Sequence, residues 1–200
     1  MSYMDKYLES IKFSSELGLF DPINKEKLEE YYLSCANNTE TNSVAKNSIK
    51  NFIESFIKDI PKVHISGCCH AISHSIFEHY KKTNFYPSFN FNITIGNVFY
   101  KGKNIYNTSR DTIITEIING PKSRSQLPLH VWLTFEDMTV FDPTIIISLI
   151  DKGVSLEQQD HYKLLIWNED APSNFLYEPL LVDNDFLSLV DEVNTKITRV

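Results

Sequence analysis

Cysteine is scarce in this 200-residue chain, with only Cys35, Cys68 and Cys69 present, and two of the three are adjacent. No disulfide framework follows from that set, because neighbouring cysteines bridge only through a strained ring. Glycine is also scarce at six residues, and Gly96 and Gly102 stand alone. Without a glycine-rich phosphate loop, nucleotide binding has no support and no cofactor is expected. Positive charge is outnumbered: 19 Lys and Arg face 26 Asp and Glu, for a net charge of -7. No global basic field attracts phosphate backbones, so nucleic acid is not an expected partner. Long apolar runs are missing as well. The longest, Ile145 to Ile150, is broken by Ser148 and followed by Asp151, far short of the ~20 residues of a membrane helix. No membrane partner is expected. Asp5 and Glu9 fall where a secretion signal would be apolar, so the expected compartment is a reducing cytoplasm.

What is present suits one globular domain: 42% apolar and 12% aromatic residues, enough for a core without staples. Met4, Tyr7, Leu8 and Ile11 follow helical spacing, and Asp21-Pro22 reads as a cap opening a second helix to about Cys35, a residue expected in the core. The polar ANNTETNS reads as a loop. Ser43 then caps a third helix with the face Ile49, Phe52, Ile53, Phe56, Ile57, Ile60, stopped by Pro61. A fourth helix is predicted from Gly67 to about Lys82, with Cys69, Ile72, Ser73, Ile76, Phe77 and Tyr80 on one side. From Phe89 to Tyr100 the pattern alternates, as a strand does. Residues 112–118 fit helix or strand equally. Leu129–Phe135 and Thr139–Phe141 form a predicted hairpin around Glu136-Asp137-Met138, Tyr162–Trp167 a further strand, and Asn184–Val193 a closing helix. Asp183, Asp185, Asp191 and Glu192 read as a solvated face.

Thiol catalysis requires a nucleophile, a base for its proton and a group that fixes the base. Cys69 opens an apolar-faced helix, where free backbone N–H groups favour a negative sulfur. That effect alone is worth ~0.3 to 1 kcal/mol, under about one pKa unit, so a nearby imidazolium is needed. His130 opens a strand and can supply it. Asp142 ends the next strand, and a turn at Glu136-Asp137 places position 130 opposite 143, with Asp142 beside it.

These pieces, Gly67-Cys68-Cys69, His130-Val131-Trp132 and Val140-Phe141-Asp142-Pro143-Thr144, resemble the transglutaminase-like superfamily of papain-like thiol enzymes. The resemblance covers residues 64 to 145. It implies an α+β fold with a papain/transglutaminase-like core, a nucleophile helix packed on a short antiparallel sheet, over residues 61–200, with residues 1–60 as an N-terminal helical extension or cap used in recognition. It also implies Cys69 as nucleophile, His130 as base and Asp142 as orienting acid, while Cys68 and Trp132 line the pocket or the oxyanion region. The expected reaction is acyl transfer from an amide of a peptide or protein substrate, of the peptidase, amidase, glutamine deamidase or transglutaminase type.

The alternative is a catalytically inactive member of that family that binds a protein or peptide partner, with Cys69 a buried helix cysteine behaving as a small hydrophobe. A zinc site from His64, Cys68, Cys69, His70 and His74 is the other competitor. It lacks a second ligand cluster, and His70 and His74 lie off the apolar stripe, so they read as a solvated histidine face and no metal is expected.

Overall fold

The computed structural model describes residues 1–19, 24–37, 39–58, 60, 65, 67–83, 90–120 and 129–190. The boundary signals at Asp21-Pro22 and Pro61, and His64, lie outside the described residues. Among the described residues, seven α-helices and six strands make an α+β fold: α1 Tyr3–Glu16, α2 Lys25–Asn37, α3 Thr39–Lys58, α4 Cys69–Thr83, β1 Phe91–Tyr100, β2 Lys103–Asn104, α5 Arg110–Asn119, β3 His130–Phe135, β4 Val140–Asp142, α6 Ile145–Asp151, β5 Leu165–Trp167, β6 Phe175–Val182 and α7 Phe186–Val190. Among the described residues no helix is long and apolar enough to cross a membrane.

The sheet is antiparallel and runs β2-β1-β3-β4-β5, with β6 also on β1. Along β1, residues 94–100 pair with β6, 91–96 with β3 and 99–100 with β2. β1 is therefore the spine. Strand alternation divides β3 between two layers. Val131, Leu133 and Phe135 join Ile49, Ile53, Ile72 and Ile76 of α3 and α4 in one buried cluster. Trp132 joins Tyr3, Tyr7, Leu8 and Ile11 of α1 in another.

α1 begins with a reciprocal capping box between Ser2 and Asp5, which satisfies two otherwise unpaired N–H groups. Its Tyr3 hydroxyl accepts a hydrogen bond from Trp132 Nε1 at 3.0 Å. This helix supports the core, where the sequence suggested a separable cap. In α3, Ile49 and Ile53 are fully buried, Phe52 and Phe56 pack at the margin of the same cluster, and Ile60, past the end of the helix, packs there too. The expected ANNTETNS loop is almost absent, since α2 ends at Asn37, α3 starts at Thr39 and Ser43 lies inside it. An exposed helical turn tolerates polar residues, so polarity did not mark a break there. Cys35 is half-buried, not core.

Residues 110–119 resolve as helix, capped by the Ser109 side chain and ended by Gly120 at φ 65°. The strand expected over 162–167 is confined to Leu165–Trp167. Three elements were not foreseen, the first being β2, which is only two residues long. α6 is a seven-residue apolar helix too short to show a period, and in β6 Pro179 and an unpaired Leu180 interrupt the alternation. Pro179 lies opposite Gly96 and Leu181 opposite Ile95, so Leu180 forms a bulge.

Candidate active site

The helix that opens at Cys69 is delivered by a tight turn. Cys68 N–H donates to the Ile65 carbonyl at 3.2 Å, and Gly67 sits at φ 69°, a left-handed conformation that glycine adopts without steric cost. That is the backbone reason for the glycine in Gly-x-Cys. The Cys68 carbonyl accepts from Ile72 N–H at 2.9 Å and so caps α4. Cys69 is the first helical residue, and its N–H has no partner within the helix ladder. Its thiol is buried and donates to the carbonyl of Leu129, the residue before His130, at 3.6 Å.

β3 begins at His130 and β4 ends at Asp142. Leu133 pairs with Phe141 and Thr134 with Val140, which sets Asp142 opposite Trp132 and diagonal to His130. The register is shifted by one from the expected pairing because the turn holds three residues, with Met138 at φ 64°. That shift is what places Asp142 on the same face as His130, since the expected pairing would have set it opposite Val131, and side chains reach across the diagonal. His130 Nε2 lies 2.6 Å from Asp142 Oδ2, and both side chains are fully buried. The other nitrogen, Nδ1, is buried and makes no hydrogen bond among the described residues.

Asp142 is fixed from several sides. Its Oδ1 accepts from Thr144 N–H at 3.0 Å, Thr144 Oγ1 at 3.1 Å and Ile145 N–H at 3.0 Å, tying the carboxylate to the start of α6. Burial pushes the Asp142 carboxyl up, but the charge and hydrogen bond of His130, then Thr144 and Tyr177, hold it below its ordinary value.

Burial likewise pushes the Cys69 thiol up. The neighbouring imidazoles of His130 and then His70 outweigh it and lower the thiol to about 6. For His130, burial pulls down while Asp142 and then Cys69 pull up, and the imidazole is raised to about 10. Between those values the favoured form is thiolate with imidazolium. An ionised sulfur has no proton to give Leu129, so ionisation releases that contact and leaves the sulfur to His130.

Aromatic rings close the surroundings. Tyr106 stacks on His130 with centroids 4.7 Å apart, and Lys152 Nζ lies 4.8 Å above the Tyr106 ring. Trp132 is fully buried beside His130, so it is a wall of the site, within the core. Cys68 is half-buried and packs against the α3/α4 cluster. A groove of about 670 Å³ between α3 and α6 is lined by Ile57, Ile60, Ile65, Ile146, Ile147 and Ile150, among others, and by neither Cys69 nor His130.

Two readings from the sequence need correction. His70 is 5% exposed and acts on the Cys69 thiol, and His74 is half-buried with its Nδ1 enclosed and unpaired, so these are not a solvated face. A helical wheel shows which residues share a face and not how deeply the helix is buried. Asp183 is buried too, at 3% exposure, whereas it was read as solvated. Among the described residues no group of three or more His, Cys, Asp or Glu side chains is placed to hold a metal ion. Tyr106 and Tyr177 were not singled out, since neither carries a spacing signal. Comparisons with protein-family models, with curated proteins and with solved structures found no match.

Proposed function

We propose that the chain is a thiol-dependent acyl-transfer enzyme with a papain/transglutaminase-like core, acting on an amide of a peptide or protein. One observation carries this reading: a buried imidazole spends one nitrogen on a carboxylate at 2.6 Å, leaves the other unbonded, and lowers the proton affinity of a cysteine at a helix start. A structural histidine would satisfy both nitrogens.

In the reaction, the Cys69 sulfur forms a bond to the acyl carbon and the carbonyl π pair moves onto oxygen, where the Cys69 N–H is available to donate. Collapse of this intermediate breaks the carbon–nitrogen bond, and His130 Nδ1 gives its proton to the departing amine. The thioester is then attacked by water or by a second amine, which passes its proton to His130, and collapse of this second intermediate breaks the carbon–sulfur bond, releasing the acyl product and returning the Cys69 thiolate. Asp142 stays ionised throughout and keeps the ring oriented.

An activated acyl ester tests this, because it needs no knowledge of the natural substrate. Incubation with p-nitrophenyl acetate is expected to release p-nitrophenol and to place one acetyl group on Cys69, seen by mass spectrometry, with no such adduct in Cys69→Ser or His130→Ala. Acetylation of Cys35 or Cys68 in preference, or none at all, overturns the reading.

A second reading has an observation of its own. The thiol is 5% exposed, while the groove between α3 and α6, which does not include it, is available to a partner, as expected of an inactive module that holds one. A folded protein whose Cys69 resists every acyl donor would favour it.

A further inference from the structure

We infer that Tyr177 is a positioning residue of the site, holding Asp142 so that its Oδ2 stays on His130; the inference rests on the acyl-transfer reading. The Tyr177 hydroxyl donates to Asp142 Oδ2 at 3.0 Å, the same oxygen that faces His130 Nε2 at 2.6 Å. With Oδ1 already occupied by Thr144 and Ile145, both carboxylate oxygens are saturated. The carboxylate cannot turn about its bond without breaking a charge-assisted hydrogen bond in a dry interior.

The contact is not a by-product of neighbouring strands. Tyr177 is on β6 and Asp142 on β4, separated by β1 and β3, roughly 14 Å in a flat sheet at ~4.8 Å per strand. It forms because the sheet curls and because Gly96, on the intervening strand, has no side chain. A Cβ there would stand 2.1 Å from the Glu178 carbonyl and 2.9 Å from Trp132 Cη2. Trp132 and Trp167 flank the Tyr177 ring with centroids at 5.0 and 5.4 Å, so the phenol is aimed. Burial first, and then Asp142, keep the phenol protonated well above its ordinary range, which makes it a donor at every pH at which the protein works.

The test compares the pH dependence of p-nitrophenyl acetate acylation in wild type, Tyr177→Phe, Asp142→Asn and the double variant, each checked by thermal unfolding. Removing the hydroxyl leaves Oδ2 held by His130 alone, which loosens its aim at Nε2, weakens the imidazolium and raises the acid limb of the profile by about one pH unit. In the Asp142→Asn background the same change is expected to shift nothing, because its only target is gone. If Tyr177→Phe unfolds, 4-fluorophenylalanine at 177 fills the hydroxyl's volume without donating and is expected to give the same shift. Profiles that coincide with wild type overturn the positioning role while leaving the acyl-transfer reading intact. Absence of acyl-Cys69 in wild type overturns both.

Discussion

His130 sets its two ring nitrogens apart: Nε2 lies 2.6 Å from Asp142 Oδ2, and Nδ1 is buried with no hydrogen bond among the described residues. The Asp142 contact dictates the tautomer, and with it which nitrogen exchanges a proton with Cys69. Asp142→Asn removes the charge while keeping the shape. The expected outcome is a folded protein, by circular dichroism, whose acylation rate near neutral pH falls by orders of magnitude, as for comparable triads.

His70 gives a smaller and separable effect. It lowers the proton affinity of Cys69 after His130 does, and it is buried at the start of the same helix. His70→Gln is expected to raise the thiol's titration midpoint, and so to slow alkylation at pH 6 by a few-fold, on the order of half a pKa unit. Rates at pH 10, where the thiol is ionised in either protein, are expected to coincide.

Gly96 tests the geometry of the sheet rather than the chemistry. The overlap of an added Cβ with the Glu178 carbonyl at 2.1 Å involves backbone, which cannot move aside as a flexible side chain can. Gly96→Ala is expected to destabilise the fold by about 2 kcal/mol or more, read as a lower denaturation midpoint in urea.

Asp183 makes stability depend on pH. Burial raises its carboxyl to about 6 against the pull of the Asp185 N–H that Oδ1 accepts, and among the described residues Oδ2 is buried without a partner. The folded value lies above the unfolded one, so the stabilising contribution is present below pH ~4 and is lost as pH rises through about 6. Asp183→Asn removes that term. The stability of the variant relative to wild type is therefore expected to rise between pH 4 and 7 by on the order of 1 to 3 kcal/mol, measured by urea unfolding at each pH.

Much of the site was legible because the chemistry prescribes residue types and the sheet prescribes spacing. Cys69 at a helix start, His130 at a strand start and Asp142 at the end of the next strand follow from hydrophobic periodicity and one hairpin. The register was not legible to the residue, since a three-residue turn with Met138 at φ 64° carries none of the glycine that usually announces it. β6 was hidden by Pro179 and its bulge, and with it Tyr177, whose approach to Asp142 depends on the curl of four strands. His70 was misread because a helical wheel records which residues share a face and not what covers the helix end.

The most direct test of the account is the pH dependence of iodoacetamide alkylation at Cys69, followed by mass spectrometry of the modified peptide in the wild-type protein. The coupling to His130 predicts a rate that rises through a midpoint near 6 and is already near its plateau at pH 7. The same profile in His130→Ala is expected to move upward by more than a unit, towards or beyond the ~8.5 of a free thiol. A wild-type midpoint at or above ~8.5, unchanged by loss of His130, would contradict the account.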